Sequence, residues 1–214
     1  MNKYLIRQCA NPNCEFRFPA PDESGIGIQC PKCKTTTLII REINLYPDQI
    51  DNQNHLFPIN NLEIALDNVR STFNVGAIFR SVDGAGISKV HLCGITPTPE
   101  NKKIQKTSLG SEKSVPFESH KNTVKFISAS KLQGKRIWAL EKTNISENIE
   151  NFRISKNDPG TILVIGNEII GIDPDVLSIC DQHIHIPMVG IKGSLNVAIA
   201  LGIAVYNLID FSTY

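Results

Sequence analysis

TILVIGNEIIGIDPDVLSICDQHIHIPMVGIKGSLNVAIALGIAVYNL, residues 161–208, holds two short strands and a helix joined by glycine loops. Thr161–Ile165 is an apolar run rich in β-branched residues, the signature of a buried strand, and it runs directly into Gly166-Asn167-Glu168. Gly171 and Asp173-Pro174 follow. A second strand, His183–Ile186, runs into Pro187-Met188 and Gly190. From Ser194 onward, Leu195, Ala198, Ile199 and Gly202 fall at helical spacing. Twice, then, a buried strand ends in a glycine loop, and open α/β sheets bind small ligands where strand ends leave backbone groups free. Glu168 and Asn196 stand at those ends in apolar surroundings. On the residues alone, a ligand site and a pair of ordinary turns are both open readings.

Upstream, Asn61–Leu66 reads as the first strand of the same domain. Asn74 sits at a helix start beside Gly76, and Val75, Ile78, Phe79 and Val82 line one helical face. Arg80 lies six residues after Asn74, either a solvated helix arginine or a cation aimed at a phosphate or ribose. Gly84 and Gly86 end the helix; Lys89–Gly94 and Ile137–Leu140 are further strands, and Asn151–Pro159 falls in a polar loop. Cys93, within a strand and with no base in view, is a small core residue rather than a nucleophile. Residues 101–136 carry nine cations against Glu112 and Glu118, a local charge of +7 in a chain of net charge +1. They are Lys102, Lys103, Lys106, Lys113, Lys121, Lys125, Lys131, Lys135 and Arg136. A polyanion partner explains this, and an ordinary wetted face is the alternative.

With 214 residues and 41% hydrophobic content, the chain has room for one α/β domain and a small appendage. The appendage is residues 1–45, where Cys9, Cys14, Cys30 and Cys33 follow a C-x4-C and C-x2-C pattern. Four thiolates suit structural zinc, which would supply folding energy that so small a core lacks. A redox pair at Cys30 and Cys33 would need a thioredoxin-like strand and helix, and neither is visible; a degenerate or metal-free module is the other alternative. Phe16 and Phe18 either stack on bases or form the module's tiny core. Residues 46–58 have a linker's composition, and 59–214 form the second domain. The opening MNKYLIRQCA is too short and polar for a signal peptide, and no apolar run reaches membrane-spanning length. The expectation is a soluble cytoplasmic protein, without a membrane partner and with reduced cysteines.

Four blocks, read together, carry a resemblance. Asn74-Val75-Gly76-Ala77-Ile78-Phe79-Arg80 resembles the first motif of the SpoU (TrmH-type) RNA ribose 2′-O-methyltransferases of the SPOUT superfamily. Ile165-Gly166-Asn167-Glu168 with Gly171 resembles the second motif. Ile186-Pro187-Met188, Gly190 and Ser194-Leu195-Asn196-Val197-Ala198 resemble the third. Lys106-Thr107-Ser108-Leu109-Gly110-Ser111-Glu112 resembles a further internal stretch. Asn167 stands where many members have serine, and Ser108 and Ser111 where alanine is common. The resemblance covers roughly residues 60–210. It implies an α/β fold, a parallel sheet whose C-terminal part is tied in a deep trefoil knot, an exception to the rule against threaded chains. It also implies a homodimer with the site near the subunit interface, S-adenosylmethionine as cofactor, and RNA (tRNA or rRNA) as partner.

On the matching positions, the resemblance makes Arg80, Asn74, Glu168 and Asn196 the catalytic set. Arg80 would contact the phosphate beside the target ribose, orient the 2′-hydroxyl and stabilise its developing negative charge. A role as base is more demanding, given arginine's high reference pKa. Asn74 and Asn196 would fix Arg80 and the loops, and Glu168 would hold a loop or pair with Arg80. Leu140, Gly166, Asn167, Ile186, Met188, Ser194 and Leu195 would enclose the cofactor, with Met188 a wall and not a sulfur ligand. The expected activity is S-adenosylmethionine-dependent 2′-O-methylation of structured RNA, tRNA ahead of rRNA. A fold that binds RNA without turnover is the alternative. A dinucleotide oxidoreductase would need a G-x-G-x-x-G turn after an early strand, and none is present.

Overall fold

A computed structural model describes residues 3–44, 59 and 61–213. The chain divides into two compact units, Met1–His55 and Leu56–Tyr214. The stretch 46–58, read above as a linker, lies outside the described residues.

The first unit is a three-stranded antiparallel sheet, β1 (Lys3–Cys9), β2 (Arg17–Pro21) and β3 (Thr37–Asn44), in the order β2-β1-β3. Its buried apolar residues are few, chiefly Leu5, Ala20, Cys9 and Cys30. That is too little apolar burial to hold the strands by itself.

The second unit opens with β4 (Leu62–Asp67), α1 (Thr72–Gly84) and β5 (Val90–Cys93). Next come α2 (Lys102–Ser108), α3 (Ser111–Ser114), β6 (Phe117–His120), α4 (Thr123–Leu132), β7 (Arg136–Leu140) and β8 (Glu147–Asn148). It ends with β9 (Thr161–Ile165), α5 (Pro174–Ile179), β10 (Gln182–His185) and α6 (Val197–Leu208). The strands form a seven-stranded sheet in the order β6-β5-β4-β9-β7-β10-β8, every pair parallel. Central strands of such a sheet are covered on both faces, which is why TILVI of β9 is buried from end to end.

Alternation along β4 sorts the two faces. Leu62, Ile64 and Leu66 pack with Val75, Ile78, Phe79 and Val82 of α1 and Leu201, Ala204, Val205 and Leu208 of α6. Ala65 faces the other way, among Ile127 of α4, Val176 of α5 and Ile162 and Val164 of β9. Gly76 lets α1 lie close against α2: a Cβ there would stand 2.6 Å from the Ile104 carbonyl oxygen and would collide with Thr107. Among the described residues no helix is long and apolar enough to cross a membrane.

Several boundaries differ from the sequence reading. α1 begins at Thr72 with Ser71 as its cap, since the Ser71 hydroxyl accepts from the Asn74 N–H at 3.3 Å. Asn74 is therefore inside the first turn, and its side chain is free to bond elsewhere. α6 begins at Val197 and not at Ser194, because Asn196 takes the capping role, its Oδ1 accepting from the N–H groups of Ala198 and Ile199. Ile186, read as strand, lies beyond β10, which ends at His185. Residues 149–151 make a short 3-10 turn at the start of the polar loop.

Candidate active site

The carboxyl ends of β9, β7 and β10, neighbours in the sheet, open into a cavity of about 470 Å³. All seven residues expected to enclose a cofactor line it: Leu140, Gly166, Asn167, Ile186, Met188, Ser194 and Leu195. Glu168 and Asn196 line it too, as do Glu141, Lys142, His185 and Val197, which the sequence reading did not single out. Its size lies in the range of small-molecule sites, and both apolar and polar residues line it. That mixture fits a flat heteroaromatic ring and an amino-acid chain, the two halves of S-adenosylmethionine.

The loop after β9 is closed on itself. Asn167 and Gly171 exchange both backbone hydrogen bonds, at 2.9 and 3.0 Å. Asn167 Oδ1 accepts from the Ile169 N–H at 2.9 Å, and its Nδ2 donates to the Asn68 carbonyl at 2.7 Å. The Asn167 side chain thus organises the loop and ties it to the end of β4. Gly166 is required by space: a Cβ there would collide with the backbone of Gly171 and Ile172. Asp67, 1% exposed, adds a second tie. It accepts from Thr123 Oγ1 at 2.6 Å, Asn68 Nδ2 at 2.8 Å and the Asp173 N–H at 2.8 Å, joining β4, α4 and the start of α5. Its position at a strand end was the only hint the sequence offered.

A chain of hydrogen bonds joins the three motif regions. Asn196 Nδ2 donates to Asn74 Oδ1 at 3.0 Å, and Asn74 Nδ2 donates to Glu168 Oε1 at 2.9 Å. The Glu168 carboxylate also accepts from the Arg70 and Ser71 N–H groups at 3.0 and 2.9 Å, at the amino end of α1. Both amide orientations follow: Asn196 spends its oxygen on the cap of α6, so its nitrogen faces Asn74, and Asn74 turns its own nitrogen to the carboxylate. Burial acts to raise the Glu168 pKa, but the donors from Arg70, Ser71 and Asn74 outweigh it and hold the pKa below the ordinary value of 4.5.

Arg80 is exposed on α1, and among the described residues it makes no hydrogen bond or ion pair. Of the two roles expected of Glu168, the geometry shows loop-holding and not a pair with Arg80, and the two asparagines hold each other and Glu168 rather than Arg80. The reason is the earlier start of α1, which aims Asn74 at the loops. Arg80 is not among the residues lining the cavity. Cys93 is buried, and that burial, with Asp67 nearby, pushes its thiol to about 12.

Of the nine cations in 101–136, three are engaged among the described residues. Lys131 pairs with Asp181 at 2.6 Å and Lys135 with Glu63 at 2.7 Å, while Arg136 donates to Thr161 at 3.0 Å and lies over Trp138. Lys102, Lys103, Lys106, Lys113, Lys121 and Lys125 remain exposed.

In the first unit the four cysteine sulfurs lie within 4.8 Å of one another. Cys9 and Cys33 are 3.3 Å apart and Cys14 and Cys30 3.9 Å. A tetrahedral zinc with bonds of about 2.3 Å sets sulfurs roughly 3.8 Å apart, so the donor set fits that ion. Each cysteine pair sits on a tight turn: the Cys14 N–H donates to Asn11 O and the Lys34 N–H to Cys30 O.

Comparison with known proteins agrees with this geometry. The family model described as the SpoU rRNA Methylase family matches residues 61–206. The tRNA (guanosine(18)-2'-O)-methyltransferase of Escherichia coli (strain K12) is 31% identical over 145 residues, 68% of this chain and 61% of that protein's length. The 23S rRNA (guanosine(2553)-2'-O)-methyltransferase of Bacillus subtilis (strain 168) is 28% identical over 199 residues, 91% of this chain and 77% of that protein. Among solved structures, the AdoMet-bound rRNA methyltransferase from Sinorhizobium meliloti superposes with a TM-score of 0.64 at 29% identity, covering 71% of this chain and 57% of that one. With the three motif regions joined at one cavity and the family model spanning most of the second unit, the chain belongs to the SpoU rRNA Methylase family.

Proposed function

We propose that this protein methylates a ribose 2′-hydroxyl in a structured RNA, with S-adenosylmethionine as donor. The observation that carries the reading is the Asn196–Asn74–Glu168 chain at the cavity, with the guanidinium of Arg80, on the same helix as Asn74, left unpaired among the described residues. The cofactor, bound, supplies a methyl group made electrophilic by a sulfonium. Leu140, Ile186, Met188 and Leu195 wall its site, the backbone at Gly166 and Ser194 offers polar groups, and Asn167 shapes the loop beside them. Asn74, Glu168 and Asn196 hold the three loops in register. Arg80 grips the phosphate next to the target, orients the hydroxyl and stabilises the charge that develops on its oxygen; the protein's task is mainly alignment. The exposed lysines of α2 and α4 attract the RNA backbone.

Transfer RNA is the first substrate to test, since the relatives at 31% and 36% identity carry tRNA names. Ribosomal RNA is second, favoured by the relative whose match takes in 91% of this chain. The test is incubation of the purified protein with labelled S-adenosylmethionine and total RNA, followed by mapping of 2′-O-methyl sites. Label in neither RNA class, with the cofactor bound, would leave a fold that binds RNA without turnover.

On the same proposal, residues 1–45 form a zinc module held by Cys9, Cys14, Cys30 and Cys33, joined through 46–58 to a catalytic domain at 59–214. Elemental analysis of protein purified without added metal should give about one zinc per chain, and a folded, metal-free module would refute this. The loops at 166–173 and 186–196, which share one cavity, belong to a C-terminal trefoil knot. An experimental structure with an unthreaded C-terminal segment would overturn that. The protein works as a cytoplasmic homodimer, and recovery in a membrane fraction would contradict the location.

A further inference from the structure

On the face of the sheet turned toward α4, two histidines meet at the outer edge. His91 of β5 and His120 of β6 are on adjacent parallel strands, with Glu118 directly opposite His91. His91 is 3% exposed. Its Nδ1 lies 3.0 Å from His120 Nε2, and its Nε2 lies 2.8 Å from Glu63 Oε2. Glu118 turns Oε2 to within 3.9 Å of both facing imidazole nitrogens, while its Oε1 is held by Lys89 at 2.8 Å.

We infer that His91 Nδ1, His120 Nε2 and Glu118 Oε2 form a site for a divalent transition metal, zinc by its donor set. An ionised carboxylate only accepts, so Glu63 keeps the proton of His91 on Nε2 and leaves a lone pair at Nδ1. A carboxylate behind a histidine is the usual partner that orients and sharpens such a ligand. Glu63 is anchored in turn by Lys135 at 2.7 Å. Phe126 stacks on the His120 ring at 3.8 Å and fixes its plane. A direct hydrogen bond between the two imidazoles would account for their 3.0 Å separation, but not for the third donor facing both. Donors around a tetrahedral zinc with bonds of about 2.0–2.1 Å stand roughly 3.3 Å apart. The two imidazole nitrogens have to part slightly, and the Glu118 side chain, 54% exposed, has to close in. Three protein ligands leave the fourth position to water. The ion would tie the edge strand β6 to β5, on the face of the sheet opposite α1 and α6.

The experiment is a titration of the full chain with zinc chloride against a chromophoric chelator, for wild type, His120→Ala and Glu118→Gln. Uptake at the four cysteines is common to all three and cancels in the difference. Wild type should bind one equivalent more than His120→Ala, and Glu118→Gln should weaken that extra equivalent at least about tenfold. Circular dichroism checks the fold; should His120→Ala fail to fold, the exposed Glu118→Gln variant carries the test alone. Equal stoichiometry and affinity in the folded variants and the wild type would overturn the site.

Discussion

A guanidinium with no partner on its own chain is a cation available to a ligand, and Arg80 is such a group among the described residues. Replacing Arg80 by alanine should lower single-turnover methyl transfer by about 10²–10³ while leaving cofactor affinity near wild type. Calorimetric cofactor binding alongside the rate separates the two, and equal loss of both would move Arg80 into the cofactor pocket or the fold. Glu168 acts differently, through the loops. Its pKa is depressed, so its carboxylate contributes stability that is fully present above the ordinary value of 4.5 and is lost as pH falls below it toward the lowered pKa. Glu168→Gln removes that titration and turns an amide nitrogen toward N–H donors. Its stability deficit against wild type, measured by urea unfolding, should therefore be largest at neutral pH and shrink below about pH 4.5. A deficit constant across that range would count against the assignment.

The loop after β9 and the helix α2 make separate demands on the elements around the cavity. Gly166→Ala sets a methyl group against the backbone of Gly171 and Ile172, which cannot step aside as a side chain could. We expect a loss of at least about 1–3 kcal/mol and a loss of cofactor binding. Gly193, on the same cavity, has nothing within 4 Å of its virtual Cβ, so Gly193→Ala is the control that should stay near wild type. Equal behaviour of the two in thermal unfolding would show that the loop repacks freely. On α2, Lys102, Lys103 and Lys106 are exposed, and changing all three to glutamine should weaken RNA binding without touching the cofactor. The slope of log affinity against log salt should shrink by about one for each phosphate that the variant no longer neutralises. An unchanged slope would take α2 out of the RNA interface.

On the whole molecule, the apolar surface is unevenly spread. Ile199, Ile203 and Tyr206 of α6 are 57%, 43% and 54% exposed, and Val189 and Ile191 of the preceding loop are fully so. Patches of this kind on a globular domain mark association surfaces. A homodimer formed across α6 and the 186–196 loop would cover them. Sedimentation at low micromolar concentration should then give about twice the 23.7 kDa chain mass. A monomer with full activity would sink the dimer.

Much of this architecture is written locally. The buried run of β9, the helical spacing of α6, the paired cysteines and the motif residues that converge on the cavity can be read from short windows, because burial direction depends on near neighbours. Partnership is another matter. Asn196 meets Asn74 across 122 residues, Asn74 meets Glu168 across 94, and Asp67 meets the Asp173 N–H across 106. No window contains both members of any of these pairs. The crossover order of the parallel sheet brings them together, and it likewise paired Lys131 and Lys135 with acids while leaving Lys102 in solvent. His91 and His120 are 29 residues apart and gave no metal spacing in the sequence, yet adjacent strands set their nitrogens 3.0 Å apart. Residue type and local periodicity say which way a side chain must face; only the packed sheet says what it will find there.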